Sequence, residues 1–215
     1  MKIRKLTTLL GFSGPLIIIL GSLLTAMVYT GKIGEHHSVL NHFISELGEV
    51  GVSQWAIVFN VSLFIGGLCI TGFMLGTAML FKNFWGFIFA ILGLATGLSG
   101  ALVGVFPMNN LAPHIVFAMW FFRAGLVSSA FFALYVLFSR QKQFSRWTSI
   151  PAASISVITF IFLYVLEPVG TGENPLIFTV ERPAFWLNAL LEWGIFIAIM
   201  AWVLTTSYDL QVKNE

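Results

Sequence analysis

The chain has 215 residues, 58% of them hydrophobic and only 9% charged, with a mean hydropathy of +0.91. Soluble domains carry roughly a quarter charged residues, so this composition excludes one and predicts an integral protein of a cell membrane. A net charge of +2 without a basic, aromatic-interleaved cluster gives no footprint for nucleic acid, and the lone Cys69 excludes an intrachain disulfide.

The chain starts Met1-Lys2-Ile3-Arg4-Lys5 and then runs apolar to Tyr29. That is the charge order of a signal sequence. The apolar run is long enough to span, however, and has no convincing small-residue cleavage site, so a retained helix is expected. Spans need roughly 17–25 mainly apolar residues, and six segments qualify, near residues 7–29, 54–81, 84–105, 114–138, 149–167 and 185–207. The expected fold is therefore all-α: a six-transmembrane-helix bundle forming one membrane domain over residues 1–215.

Between the first two spans lies a polar island, His36 to Glu49, with three of the four histidines. Leu40, Phe43, Ile44, Leu47 and Val50 recur at helical spacing, which predicts a short amphipathic helix. His42, Glu46 and Glu49 would share its opposite face, with Asn41 and Ser45 beside them. The other reading of this island is a hydrated connector.

If the spans alternate, Lys2, Arg4, Lys5, Lys82, Arg140, Lys142, Arg146 and Lys213 fall on one side, and only Lys32 and Arg182 on the other. The positive-inside rule then puts both termini in the cytoplasm and the loops rich in His and Glu outside. That outer side collects Glu35, Glu46, Glu49, Glu167, Glu173, Glu181 and all four histidines.

In the third span Gly86, Ala90, Gly93, Gly97, Gly100 and Gly104 form a seam of small residues, which lets helix backbones approach closely. The seam predicts a helix central to the bundle, the alternative being a homo-oligomer face. Gly72 and Gly76 in the second span offer a matching seam. Pro15 suggests a kink in the first span and Pro151 a helix start in the fifth.

His114 follows Pro113 at the start of the fourth span, where the helix dipole disfavours an imidazolium. A neutral ring there can bind a metal or take a proton, or simply bond a loop carbonyl. Arg123 and Glu192 lie within spans at similar depth, so they are expected to pair or to line a wet cavity with Asn60 and Asn188. The last outer loop, Glu167 to Pro183, is irregular and ends in Glu181-Arg182, where Arg182 is placed to hold a lipid phosphate or to answer Glu46 or Glu49. Trp55, Trp147, Trp186, Trp193, Trp202 and Tyr29 lie mostly near span ends, as interfacial anchors do.

Asn41-x-x-Ile44-Ser45-Glu46-Leu47-Gly48 after the first span, Gly104-Val105-Phe106-Pro107 after the third, His114 opening the fourth and Glu181-Arg182 before the sixth make one ordered pattern. It resembles that of the prokaryotic six-helix membrane family catalogued as domain of unknown function nine-nine-eight. More distantly it is similar to the DRAM-type and FGF-receptor-activating-protein-like membrane proteins. The resemblance implies the six-helix fold and an association with membrane lipids, and it implies no particular reaction.

Three functions are compatible with these residues. The first is a protein that binds a membrane lipid or a partner in an outward pocket lined by Asn41, Asn60, Arg123, Glu181, Arg182 and Glu192. The second is a membrane-embedded hydrolase or acyl-transfer enzyme. It would have either a divalent metal such as zinc on His42, Glu46 and His114, or Ser45 as nucleophile, His114 as base and Glu46 or Glu181 orienting it. The third is a small transporter gated by Arg123 and Glu192. A glycine-rich nucleotide loop, a haem-ligand pattern and a redox cysteine pair are absent from the sequence.

Overall fold

A computed structural model describes residues 2–81, 84–139, 143–166 and 182–213. Six helices are long and apolar enough to cross a membrane. They are α1 (Lys2–Val28), α2 (Ala56–Leu80), α3 (Phe84–Val105), α4 (Leu111–Phe138), a fifth span Arg146–Val165 whose α-helical part is α5 (Ser149–Phe160), and α6 (Leu187–Val212). A 3₁₀ turn, Arg146–Thr148, precedes α5, and a π turn, Ile161–Val165, extends it. Among the described residues there is no strand, only two isolated bridges, Thr30 to His36 and Val50 to Ser53. The protein is a multi-pass, all-α membrane bundle.

Each helix packs mainly on its neighbours in chain order, and α6 closes back on α1, so the bundle is a ring. Small residues make the approaches possible. A β-carbon on Gly104 would lie 2.5 Å from the Asn60 carbonyl oxygen, one on Gly97 2.8 Å from Thr71 Cα, and one on Gly93 2.8 Å from Met74 Cβ. Gly86, Gly93, Gly97 and Gly104 of the α3 seam thus face α2, while Gly100 meets Phe121 of α4, and α3 is one member of the ring rather than its centre. Closing a ring leaves each helix only two major partners, and the seam serves chiefly one of them, α2. Gly72 and Gly76 do not answer that seam: they receive Leu10 and Thr7 of α1, while Gly14 and Gly66 meet backbone to backbone.

The outward surface of the ring is covered by exposed Leu, Ile, Val and Phe, as lipid contact requires. The inside is divided along the axis. Toward the end carrying the chain termini, Phe81, Phe89 and Phe132 are fully buried, with Tyr135 stacked on Phe81 at 4.1 Å and Trp202 edge-on to Phe132 at 5.2 Å. This aromatic plug fills the bore. Arg4 donates to the Lys213 carbonyl and to Gln143 Oε1 at the same end. Asp209 accepts the Ser145 backbone N–H at 2.9 Å and holds Lys213 at 3.1 Å, tying the α4–α5 connection to α6.

The aromatic anchors divide. Trp55 and Trp147 are exposed near helix ends, whereas Tyr29, Trp186 and Trp202 are buried. In place of the amphipathic helix expected between α1 and α2, the described chain is irregular apart from one 3₁₀ turn, Ile44–Gly48. The helix cannot extend backwards because the Glu46 carboxylate takes the Phe43 N–H at 2.7 Å and Phe43 is extended, φ −66° and ψ 148°. The side chain thereby caps the turn at its own start.

Candidate functional site

The segment between α1 and α2 folds over the mouth of the ring as a tied cap. Asn60 on α2 donates to the Gly48 carbonyl at 2.9 Å, and Asn109, between α3 and α4, bonds the N–H and the carbonyl of Val50, both at 2.6 Å. Trp193 on α6 donates to the His42 carbonyl at 3.1 Å, and the Trp186 N–H to that of Leu40 at 2.8 Å. Lys32 pairs with Glu49 at 2.8 Å. Asn60 therefore holds the cap and is not among the residues lining the cavity beneath it.

Arg182 carries the strongest tie. Its guanidinium meets both oxygens of Glu46, at 2.9 and 2.7 Å, and a further N–H reaches the Asn41 carbonyl at 2.8 Å. Asn41 returns a bond to the Pro183 carbonyl at 2.9 Å. Of the two partners expected for Arg182, Glu46 is the one it takes, while Glu49 goes to Lys32. Glu181 lies outside the described residues.

Behind this pair is a buried aromatic cluster that the spacing of the residues did not announce. The His37 and His42 rings lie 5.0 Å apart, Tyr29 is edge-on to both at 5.3 and 5.6 Å, and Trp193 closes on His37 at 5.6 Å. His42 Nδ1 lies 2.9 Å from Asn41 Oδ1 and 3.3 Å from the Ser38 backbone nitrogen, and the Nε2 atoms of both imidazoles are buried without a hydrogen-bond partner among the described residues. Burial holds His37 and His42 down at about 4, helped by the neighbouring His42 ring for the first and by the Arg182 charge for the second. Glu35, 3.8 Å from His42 Nε2, opposes this weakly. Burial raises Glu35 itself, but the backbone N–H groups of Glu35 and Ile33 outweigh it and leave the carboxyl below its ordinary range. The Tyr29 phenol is pushed well above its usual value by burial and then by the Glu46 charge.

His42 and Glu46 thus do not share a helix face, and they do not meet His114. Among the described residues no three His, Cys, Asp or Glu side chains are grouped so that they can hold a metal ion. The set His42, Glu46 and His114 is therefore not a ligand cluster in this fold. Arg182 already occupies both Glu46 oxygens, and His114 binds elsewhere.

His114 belongs instead to a cavity of about 110 Å³ inside the ring, beneath the cap. Its polar members at the capped end are Ser45, His114 and Glu192. His114 Nδ1–H donates to the Phe106 carbonyl at 2.8 Å, which leaves Nε2 as the unprotonated nitrogen. Glu192 accepts the Ile44 N–H at 2.8 Å, anchoring the first residue of the 3₁₀ turn. The Ser45 hydroxyl touches Met108 Sδ at 3.5 Å. From there the walls are apolar (Phe59, Leu63, Ile70, Met74, Ala118, Phe122, Ile195, Ile199), with Thr96 and Ser128 bonded to one another at 3.2 Å. Trp202, part of the plug, bounds the far end.

Arg123 takes no part in this cavity. It is exposed on the outer face of α4 and has no ion pair with Glu192, which faces inward. The sequence put the two at similar depth, but Arg123 lies twelve residues into α4 and Glu192 only five into α6, beside the cap, and Arg123 is on the outer face. The sequence placed Glu192 in a pocket with Asn60 and Arg123, and Ser45 and His114 in a separate set with Glu46 or Glu181; the fold instead groups Glu192 with Ser45 and His114. The available signal was that Asn188, Glu192, Ile195 and Ile199 repeat at one helical face.

No curated protein and no solved structure is significantly similar to this chain. A family model does match it, over residues 17–209, which is nearly the whole bundle, cap and cavity included. The chain belongs to the family described as Protein of unknown function (DUF998).

Proposed function

We propose that this protein binds a membrane amphiphile, taking a single hydrocarbon chain into the central cavity and holding the polar end at Ser45, His114 and Glu192. The observation that carries this reading is the shape and chemistry of the cavity. Its α6 wall runs from Glu192 to Trp202, ten residues or about 15 Å at helical rise, so a volume of about 110 Å³ is spread along a narrow slot. A slot with apolar walls and a few convergent polar groups at one end suits a linear chain with a head, not a compact polar solute. The aromatic plug at the other end supports binding over passage and so disfavours a transporter. Ser45 offers a donor hydroxyl and His114 an acceptor nitrogen, which suits a head carrying hydroxyl, carboxyl or amide groups.

The test is lipid mass spectrometry of the purified protein beside an Ala118→Phe variant, which fills the slot from α4. A co-purifying amphiphile that the variant loses while keeping its melting temperature supports the reading. Equal lipid content in both proteins would sink it.

The same three residues favour a second reading, an acyl-transfer or hydrolytic enzyme with Ser45 as nucleophile and His114 as base, since both line one end of an acyl-sized slot. Ser45→Ala separates the two readings: binding weakens but persists through His114, Glu192 and the apolar walls, whereas turnover of a lipid ester is abolished.

For orientation, the reading places the cap outside the cytoplasm of a cell membrane. Arg4, Lys5, Arg146 and Lys213 at the opposite end support it through the positive-inside rule. A His36→Cys reporter in a Cys69→Ser background should react with a membrane-impermeant maleimide on intact cells.

A further inference from the structure

Val116, Trp120, Val127 and Leu134 of α4 are each more than half exposed and follow one another at helical spacing, and Arg123 is exposed in the middle of that face. Arg123 has no hydrogen bond or ion pair to any described residue. It lies twelve residues from the start of α4 and fifteen from its end, so about 18 and 22 Å from the two termini of the helix at its usual rise. The hydrocarbon core of a bilayer is about 30 Å thick, which puts the guanidinium close to its middle. A fixed cation there is costly when it faces lipid, and the nearer interface is further than a side chain snorkels. The sequence puts no carboxylate in α1 to α5, and the two in α6 are both engaged: Glu192 holds Ile44 and Asp209 holds Ser145 and Lys213. A second copy of this chain therefore has no intramembrane acid to offer.

We propose that the Arg123 face of α4 is a docking surface for a transmembrane helix of a different protein that carries an Asp or Glu near its midpoint. Charge complementarity in low dielectric fixes the register. Trp120 and the flanking valines supply the apolar shoulders against which the partner helix packs.

The test reconstitutes the full chain, with a fluorescent donor at its carboxyl terminus, in phosphatidylcholine vesicles. Acceptor-labelled synthetic Leu/Ala transmembrane peptides with a central Asp, Asn or Leu are added. Energy transfer should show the Asp peptide associating about tenfold more strongly than the Leu peptide. Arg123→Leu should abolish that preference without affecting folding, since the side chain faces outward, and Arg123→Glu should restore association with a peptide carrying a central Arg. Equal transfer for the Asp and Leu peptides would overturn the proposal. So would self-association of the chain that is lost in Arg123→Leu, which would assign the face to a second copy. An Asp preference that vanishes when phosphatidylglycerol is added would assign the guanidinium to lipid phosphate and overturn the proposal equally.

Discussion

Both carboxylate oxygens of Glu46 face the guanidinium of Arg182, at 2.9 and 2.7 Å, across 136 residues of sequence. The pair joins the cap over the bundle mouth to the segment that leads into α6. It is mostly buried, with side-chain exposures of 16% and 7%. Removing one partner of such a pair strands the other charge, at a cost of about 3–5 kcal/mol. Arg182→Ala and Glu46→Ala should each lower the melting temperature strongly. The double replacement should lose less than the sum of the two, because no charge is then stranded. Additive losses in thermal melts of the four proteins would contradict this.

The buried His42 and the partly buried His37 make stability depend on pH. His37 and His42 titrate at about 4 in the folded protein against an ordinary 6.5. The unfolded chain therefore binds protons first as pH falls. The stability they confer is complete above about 6.5 and declines between there and about 4, by up to about 1.4 kcal/mol per pH unit for each ring. Melting curves at stepped pH should show this slope in the native protein and a flatter one in a His37→Phe/His42→Asn variant. Equal slopes would assign the acid sensitivity to other groups.

Gly104 sits where α3 meets the backbone of α2, with a β-carbon 2.5 Å from the Asn60 carbonyl oxygen and 3.0 Å from the Phe64 nitrogen. Neither obstacle is a flexible side chain. Gly104→Val should destabilise by about 1–3 kcal/mol or more through overpacking. It should also loosen the cap, because the same Asn60 donates to Gly48. Faster proteolysis within residues 30–55 is the accompanying readout, and a variant as stable as the native protein would refute the contact.

Glu192 is the acceptor for the Ile44 N–H. Glu192→Ala leaves that buried donor without a partner, a loss of about 1–3 kcal/mol, while Glu192→Gln keeps an acceptor oxygen and should cost much less. Hydrogen exchange at Ile44 and Ser45, followed by mass spectrometry, should rise in the Ala variant and stay near native in the Gln variant.

At the opposite end, Asp209→Ala removes the acceptor of the Ser145 N–H and the partner of Lys213 together. Melting should move down by an amount corresponding to about 1–3 kcal/mol. Lipid content should not change, because the aromatic plug separates this end from the cavity.

The sequence by itself determined the membrane class and the six crossings, because hydrocarbon admits only backbone that satisfies its own hydrogen bonds, and a run of apolar residues long enough to span shows that directly. The small-residue seam of α3 was equally legible as a place of close approach. The second span was also legible as its match, but through Gly72 and Gly76; that Thr71 and Met74 are the residues of α2 that meet Gly97 and Gly93 was not. The cap was misread for a similar reason: residues 36–50 carry helical spacing, but Glu46 satisfies the Phe43 N–H and stops the helix. Arg123 and Glu192 are both charged residues within spans, yet one is exposed on the outer face of α4 and the other lines the cavity at its capped end. Ser45, His114 and Glu192 come from a loop and two helices; the sequence offered Ser45 with His114 as one candidate set, but nothing local joined Glu192 to them. Tertiary structure alone decided these matters, because only ring closure fixes the rotation of each helix about its axis, and that rotation selects which polar residues meet.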